Sequence, residues 1–310
     1  MNFPDSPFAD ISGTVFYKGH GTQNDFVFLA DDDGQLTLRT DTIAALADRR
    51  VGLGADGIIR VVRSEVSGIP GALDQAQAGA EWYMDYYNHD GSVSEMCGNG
   101  VRAFAHTLIE TGRVPAEADE IRVATRDGIK TVRRVTNPTE TADSWYEIDM
   151  GTWSLDDDPV LVTTAGIDVA RPGLSVETGN PHTVVALAEF AELESADLRD
   201  APALDPVPAN GSNIEYIVME PARSDIAGGE GALKMRVFER GVGETRSCGT
   251  GACAAAIAAH HWAGAQSPVQ WRVDVPGGQL RIGITIAEAE NRGTVTLAGP
   301  AVIVATGAIG

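Results

Sequence analysis

Lysine, cysteine and aromatic residues are scarce in this sequence of 310 residues. The only lysines are Lys18, Lys130 and Lys234, and none lies in a motif, so a Schiff-base lysine beside a glycine-rich cofactor loop is not indicated. Three cysteines cannot form a full disulfide framework, which predicts a reducing compartment, the cytoplasm. The formal net charge of −21 argues against nucleic acid or an anionic membrane as a partner.

Long apolar runs are also missing. No stretch approaches the roughly 18 apolar residues of a transmembrane helix. Residues 1–10 are acidic and lack both the basic region and the apolar run of a signal peptide. Glycine, in contrast, is abundant at 35 residues, and 43% of the chain is hydrophobic, which favours a strand-rich fold with tight turns and enough core for two domains.

One cysteine motif occurs twice. Its copies begin at Cys97 and Cys248, and both read Cys-Gly-x-Gly-x-x-Ala-x-Ala. The register continues upstream without a gap, where Asn88 in the first copy lies opposite Glu239 in the second. The sequence therefore predicts two related halves that each present one thiol.

Each motif cysteine falls between a predicted strand and an alanine-rich helix. The N–H groups and the dipole at a helix N-terminus favour a thiolate, and flanking glycines let the backbone approach a ligand. Cys253 lies about 140° around the helix from Cys248, so we expect it in the core. His260 and His261 are adjacent and point in different directions, so no metal site is predicted.

The pattern of apolar segments predicts an α+β protein. We expect two pseudo-symmetric domains, each a curved, mostly antiparallel sheet or barrel around a central helix. The N-terminal half should cover residues 1–144, joined by 299–310, and the C-terminal half residues 145–298. Residues 19–25 are expected to form a loop between two strands, and residues 64–79 an exposed loop or disordered insertion.

Six segments together carry a family resemblance. They are residues 21–26 (GTQNDF), 87–92 (YNHDGS), 96–100 (MCGNG), 179–182 (GNPH), 213 with 239–245 (ERGVGET), and 247–252 (SCGTGA). In this order they resemble the signature segments of the diaminopimelate epimerase family over nearly the whole chain. One departure is Gly57, which stands where family members often have a glutamine that contacts the substrate in some members.

The resemblance implies a cofactor-independent epimerase that interconverts LL-2,6-diaminopimelate and meso-2,6-diaminopimelate in lysine and peptidoglycan precursor biosynthesis. Cys97 and Cys248 are then the catalytic pair, one a thiolate base and the other a thiol acid. His182 and Glu239 are expected to tune them. The implied substrate-binding residues are Asn24, Asn88, Gly98, Asn99, Asn180, Asn213, Glu239, Arg240, Gly249 and Thr250.

Two features of recognition follow from side-chain chemistry. The planar fork of Arg240 suits a carboxylate. An asparagine can bind ammonium through its oxygen or carboxylate through its nitrogen, and the sequence leaves this choice open. The expected partner is a small-molecule substrate, with no nucleic acid and no membrane, and the sequence does not decide between a monomer and a homodimer.

Other functions remain open on sequence grounds. A proline or hydroxyproline racemase has a similar cysteine pair but usually has His in place of Asn99 and Pro in place of Ser247. A phenazine-type isomerase of the same fold lacks the pair. A thiol redox protein or a catalytically silent binding module belongs to a different class, and an intact cysteine pair argues against silence. A reversible disulfide between Cys97 and Cys248 is a further hypothesis.

Overall fold

The chain divides into two compact units. A computed structural model describes residues 7–139, 141–223, 229–264, 266–287 and 291–310. The first unit is Met1–Ile148 with Pro300–Gly310, and the second is Asp149–Gly299. No helix within these described residues is both long and apolar enough to cross a membrane.

The first unit is built on a sheet whose strands follow chain order. Its elements are β1 (Val15–Gly21), β2 (Asn24–Ala30), α1 (Thr40–Ala47), β3 (Gly57–Arg63), α2 (Ala72–Gln77), β4 (Trp82–Asn88), α3 (Gly98–Glu110), β5 (Glu120–Thr125), β6 (Gly128–Val135) and the start of β7 (Ser144–Thr163). Neighbours from β1 to β7 pair antiparallel, parallel, antiparallel, parallel, antiparallel and antiparallel. Residues 302–308, near the end of the chain, pair with the free edge of β1.

The second unit repeats this topology. Its elements are the rest of β7, β8 (Arg171–Glu177), β9 (Pro181–Ala186), α4 (Phe190–Ser195), β10 (Ala203–Asp205), β11 (Asn213–Arg223), β12 (Glu230–Glu239), β13 (Gly243–Thr245), α5 (Gly249–Ala263), β14 (Gln270–Val275), β15 (Gly278–Ile286) and β16 (Arg292–Ala308). Along β8, β9, β11, β12, β14, β15 and β16 the pairings are again antiparallel, parallel, antiparallel, parallel, antiparallel and antiparallel. The same succession of pairings makes the units pseudo-symmetric.

Each unit encloses one helix. Residues 98–109 of α3 are all buried, and the helix contacts β1, β2, β5 and β6. Residues 252–259 of α5 are likewise buried, and that helix contacts β8, β9, β11, β12, β14 and β15. Residues 252–259 of α5 are apolar around the whole circumference of the helix, and such a helix is stable only when it is surrounded by protein. The predicted α+β architecture of curved sheets around central helices is confirmed.

Residues 64–79 are mostly exposed, as the sequence predicted, but they are not an irregular loop. A turn of 3-10 helix spans Ser64–Val66, and α2 packs Ala72 into a hydrophobic cluster with β3 and β4. The Gln75 side chain donates to the carbonyl oxygen of Thr125 over 3.0 Å, and its own oxygen accepts from the Thr125 N–H over 3.2 Å. A helix of six residues is too short to produce a clear helical period, so its composition alone was misleading.

Candidate active site

In the first unit, three predicted site residues meet at the start of α3. Cys97 is the residue that precedes the helix, with an extended backbone and a half-buried side chain. Its Sγ lies 3.5 Å from Asn24 Oδ1 at the beginning of β2. The side-chain nitrogen of Asn99, in the first turn of α3, donates to the same oxygen over 3.2 Å. The side-chain oxygen of Asn24 therefore contacts both the Cys97 thiol and the first turn of α3.

A tight turn places Asn24 in this position. Gly21 and Asn24 face each other in the β1–β2 ladder, so only Thr22 and Gln23 connect the strands, rather than the seven-residue loop expected from the sequence. Their φ angles are 54° and 62°, the left-handed conformation of a type I′ hairpin turn. This conformation costs roughly 1–2 kcal/mol for a residue with a Cβ. The surroundings of the turn must therefore hold it.

Arg102 supplies part of that support. It is fully buried on α3, and its guanidinium donates to Thr22 Oγ1 over 3.1 Å and to Asn99 Oδ1 over 2.9 Å. A buried guanidinium needs acceptors, and these two bonds tie the strained turn to the helix. Sequence reasoning missed Arg102, although an arginine within an otherwise buried helix is itself a signal.

The Asn24 amide is oriented by a cluster of charges. Its Nδ2 donates to Asp56 Oδ2 over 2.8 Å, which leaves Oδ1 facing the thiol. Arg49 bridges Asp25 at 2.7 Å and Asp56 at 2.8 Å. Although burial opposes the effect, hydrogen bonds from Arg49 and Lys18 lower the pKa of Asp25 far below its usual range. Asp25 thus remains ionised, and the hydrogen bond from Asn24 to Asp56 fixes which end of the amide faces Cys97.

Asn88 is held by its own turn. Its Nδ2 donates to Ser92 Oγ over 2.9 Å, and its backbone N–H donates to the Ser92 carbonyl over 2.9 Å. In the ladder between β3 and β4 it lies directly opposite Gly57. These contacts keep Asn88 at the end of β4, on the strand next to the position that departs from the family pattern.

The space beside Gly57 is filled by Tyr86. A Cβ at position 57 would lie 2.4 Å from Cε2 of this tyrosine and 3.2 Å from its hydroxyl oxygen. The Tyr86 ring is buried and packs edge-on against Phe26, with ring centroids 5.8 Å apart. The sequence shows that Gly57 lacks a glutamine side chain, but it does not show that Tyr86 lies beside this glycine. That contact depends on the pairing of β3 with β4.

In the second unit, Cys248 precedes α5 and is buried. The N–H of Gly251 donates to its Sγ over 3.4 Å, and Thr250 Oγ1 lies 3.5 Å from the sulfur. Burial, together with the negative charges of Glu239 and Glu215, raises the pKa of the Cys248 thiol well above its ordinary value. At Cys248, burial and two carboxylates therefore outweigh the effect of the helix N-terminus on the pKa of the thiol.

Glu239 is the carboxylate that contacts this thiol. It accepts hydrogen bonds from the Thr245 hydroxyl and from Cys248. Burial raises the pKa of Glu239. Arg236, on the same strand as Glu239, pairs with Glu244 over 2.7 Å. Hydrogen bonds from Thr245 and Cys248 and the nearby His182 act to lower the pKa of Glu239, but burial outweighs them.

Asn213 and Arg240 form a separate contact at the ends of β11 and β12. Asn213 Oδ1 accepts from the Arg240 backbone N–H over 2.9 Å, and its Nδ2 lies 3.5 Å from the Pro181 carbonyl. The exposed Arg240 guanidinium donates to the Asn210 carbonyl. In this structure the Arg240 guanidinium, which the sequence predicted to bind a carboxylate, is therefore hydrogen-bonded to a backbone carbonyl instead.

His182 lies buried between two side chains. Its Nδ1 is 2.7 Å from Glu215 Oε1, and its Nε2 is 2.9 Å from Asn180 Oδ1. Glu215 is fully buried, and a Cβ on Gly251 would lie 2.6 Å from its Oε1, so the carboxylate lies against the first turn of α5. Sequence reasoning missed Glu215, although one acid within the apolar run of β11 was a signal.

Each unit also presents the first turn of its central helix. Gly98 and Asn99 begin one helix, and Gly249 and Thr250 begin the other. Backbone N–H groups at these positions have no acceptor within their helix and suit a carboxylate. A thiol before the central helix of each of two like units is the arrangement that the sequence predicted for an epimerase.

The family is shown by sequence. The family model described as "Diaminopimelate epimerase" matches residues 16–154 and 174–304. The chain belongs to the diaminopimelate epimerase family. A diaminopimelate epimerase of Rhodococcus opacus (strain B4) is 42% identical, over 94% of this chain and 96% of the relative. That of Streptomyces coelicolor (strain ATCC BAA-471 / A3(2) / M145) is 44% identical, over 94% of each chain.

Solved structures of more distant proteins share the fold. A PhzF-family phenazine biosynthesis protein of Bacillus anthracis superposes with a TM-score of 0.67 at 17% identity, covering 96% of this chain and 99% of the other. A hydroxyproline epimerase from Agrobacterium vitis gives a TM-score of 0.59 at 12% identity, covering 96% of this chain and 92% of the other. At these identities the likeness concerns the fold alone.

Proposed function

We propose that this protein interconverts LL-2,6-diaminopimelate and meso-2,6-diaminopimelate without a cofactor, as a step in lysine and peptidoglycan precursor biosynthesis. Membership of the diaminopimelate epimerase family supports the reaction. The observation that carries the mechanism is the repeated placement of one thiol, Cys97 or Cys248, immediately before the buried helix of each unit. Inversion of one carbon needs an acid and a base on opposite faces, and two such thiols supply them.

The proton balance of this scheme is simple. One sulfur, as thiolate, takes the α-proton and becomes a thiol, and the bonding pair stays on the α-carbon. The other sulfur, as thiol, gives its proton to the opposite face and becomes a thiolate. The raised pKa of Cys248 supports its starting as the acid. Cys97 is then the base in that direction, and the roles exchange in the reverse reaction.

Negative charge that develops next to the α-carboxylate must be stabilised without a cofactor. We propose that the backbone N–H groups of Gly98, Asn99, Gly249 and Thr250 bind this carboxylate. Amides at helix N-termini stabilise an oxyanion more strongly inside a site than in water, because they are fixed before the charge appears. Contacts with the remainder of the substrate would come from Asn24, Asn88, Asn180, Asn213, Glu239 and Arg240.

Hydrogen exchange at the α-carbon tests the function directly. Purified protein is incubated with LL-diaminopimelate in heavy water, and deuterium uptake and conversion to the meso form are followed by NMR. We expect both with diaminopimelate and neither with proline, the substrate of the alternative racemase. Exchange into proline alone would overturn the proposal.

Thiol substitutions test the mechanism. Cys97→Ala and Cys248→Ala should each abolish epimerisation, whereas Cys253→Ala, which changes a fully buried thiol on α5, is the matched control and should retain it. Full turnover in either of the first two variants would contradict the two-base scheme. Loss of activity in all three variants together with a lowered melting temperature would instead show that the substitutions disturb the hydrophobic core.

A cytoplasmic location and a homodimer are further parts of the proposal. All three cysteines are free thiols, which agrees with a reducing compartment. Cell fractionation and light scattering of the purified protein test location and assembly, respectively. Recovery of the protein outside the cytoplasmic fraction would contradict the proposed location. A monomer at the concentration used for the activity assays would contradict the proposed homodimer.

A further inference from the structure

A buried carboxylate that sequence reasoning did not assign lies behind Asn180. Glu215 is completely inaccessible to solvent, as is the His182 side chain that it contacts. Only one of its oxygens, Oε1, is hydrogen-bonded, and Oε2 has no hydrogen-bond partner in the described part of the chain. An ionised carboxylate in such surroundings is stable only beside a positive charge.

The hydrogen-bond geometry of His182 supplies that charge. Nδ1 faces the Glu215 carboxylate at 2.7 Å, and Nε2 faces the Asn180 carbonyl oxygen at 2.9 Å. With the Asn180 amide oriented as it is in the structure, both partners are acceptors, and both ring nitrogens can donate only when each carries a proton. Only the imidazolium form has two N–H groups, and its positive charge neutralises Glu215.

The other titratable groups near this pair do not change the assignment. They are Glu239, on β12, and Cys248, before α5, which both interact electrostatically with Glu215. Burial raises the pKa of both groups. The carboxylate within hydrogen-bond distance of the His182 ring is that of Glu215, which places its negative charge against α5 and the positive charge of the ring toward Asn180.

This arrangement decides how Asn180 is used. Because His182 donates to Oδ1, the amide nitrogen of Asn180 is turned away from the ring. We propose that Glu215 is a positioning residue, which holds His182 as an imidazolium and thereby fixes the Asn180 amide so that it donates to a carboxylate of the substrate. Its consequence for catalysis rests on the proposed function, but the charge of His182 does not.

The first test is the protonation state of His182, read from nitrogen-15 NMR of histidine-labelled protein. His182→Gln identifies the resonances. We expect wild-type His182 to carry two N–H protons at neutral pH, one donated to Glu215 and one to Asn180. Glu215→Gln should leave one proton at neutral pH. A singly protonated wild-type ring would overturn the proposal, whether or not the protein is an epimerase.

The second test separates binding from chemistry. When His182 is neutral and holds its proton on Nδ1, Nε2 becomes an acceptor, and Asn180 must turn its nitrogen toward the ring. Glu215→Gln should then raise KM for diaminopimelate about tenfold, the size expected for one lost hydrogen bond to a charged group, with kcat changed much less. Glu177→Gln, an exposed acid on the neighbouring strand β8, is the control and should change neither.

Two outcomes complete the design. If Glu215→Gln does not fold, the wild-type spectrum still decides the charge, and His182→Gln should show the same selective rise in KM. If Glu215→Gln loses kcat as strongly as KM rises while its melting temperature is unchanged, Glu215 acts on the chemistry and the positioning role is wrong. Absence of any epimerase activity in the wild type would refute the proposed function but would leave the spectrum interpretable.

Discussion

The two thiols occupy equivalent positions but have different neighbours. Cys97 is half-buried and faces the Asn24 carbonyl oxygen, whereas Cys248 is buried and faces two carboxylates. A carbonyl dipole and a full negative charge act on a thiol with very different strength. At the scale of single residues, the repeated motif therefore contains two chemically distinct acids, and the difference lies in the side chains contributed by neighbouring strands.

The ionisation of Cys248 should reflect this environment. In a Cys97→Ala/Cys253→Ala protein, thiolate absorbance should appear only at pH values well above the usual thiol pKa of about 8.5, because burial and Glu239 raise the pKa of Cys248. Glu239→Gln should move the midpoint to lower pH, and Glu244→Gln, whose carboxylate binds Arg236, should not. If the Cys97→Ala/Cys253→Ala protein with an intact Glu239 showed a midpoint at or below the usual thiol value, the raised pKa of Cys248 would be contradicted.

The raised pKa of the Cys248 thiol also affects how the stability of the fold depends on pH. An unfolded Cys248 ionises near pH 8.5, but the folded thiol stays protonated, so this residue favours folding less as pH rises past that value.

Asn24 should be sensitive to the placement of charge. Asn24→Asp replaces the N–H donor to Asp56 with a second carboxylate at about the same distance, so we expect a loss of about 1–3 kcal/mol in unfolding free energy and of at least about tenfold in kcat/KM. Adding Asp56→Asn reverses the donor and acceptor and should restore much of the stability. Urea unfolding and epimerisation assays measure the two effects, and the absence of rescue by the exchanged pair would show that this contact is not the cause.

At the scale of elements, the sequence was informative where a pattern is local or repeated. The repeated motif predicted two related halves and a thiol before a helix in each half, because a duplicated segment can be recognised from the sequence alone. It did not reveal the roles of Arg102, Tyr86 or Glu215. Each of these depends on which elements are neighbours, and neighbours in a sheet with parallel crossovers come from distant parts of the chain.

Two local features were hidden for other reasons. The turn at Thr22 and Gln23 uses left-handed residues that usually are asparagine or glycine, so its composition did not indicate a two-residue hairpin. Helix α2 is only six residues long. In both cases tertiary contacts, with Arg102 and with Thr125 respectively, stabilise a conformation that local preference alone would not select.

The crossing of Tyr86 over Gly57 predicts a specific coupling between β3 and β4. Gly57→Ala should cost about 1–3 kcal/mol, because the new methyl group would lie 2.4 Å from the tyrosine ring. In a Tyr86→Ala background the same substitution should cost less, since the ring is gone and the remaining close contact is the Tyr87 backbone oxygen, 2.9 Å from the new methyl group. Chemical denaturation of the four proteins of this double-mutant cycle measures the coupling. Additive effects would show that the ring moves aside at no cost.

At the scale of the whole molecule, the chain order of the two units is nested. The second unit is one continuous segment, Asp149–Gly299, but the first is completed by Pro300–Gly310. Ile309 is buried in a cluster with Ile11, Val27 and Leu29, and its backbone exchanges hydrogen bonds with residues 13 and 14. The last eleven residues are therefore an integral part of the first core.

Ile309→Ala should destabilise the protein by about 2–5 kcal/mol, the usual cost of truncating a buried isoleucine. Val304→Ala is the matched control, because Val304 lies on β16 just before this segment ends, is 59% exposed, and should cost little. Deleting residues 300–310 should be more damaging than Ile309→Ala, since β1 also loses its partner strand. Thermal unfolding of the three variants checks this order, and equal melting temperatures would show that the C-terminal segment is dispensable.

The nested order also determines when each unit can finish folding during synthesis. The N-terminal unit emerges from the ribosome first but waits for the final residues, and at about 5–20 residues per second this delay lasts roughly ten seconds or more. During that time the outer edge of β1 is an open template for pairing with other chains. We expect newly made N-terminal segments to need chaperones most strongly in this interval, and premature termination near the end of the message to yield aggregated rather than partly active protein.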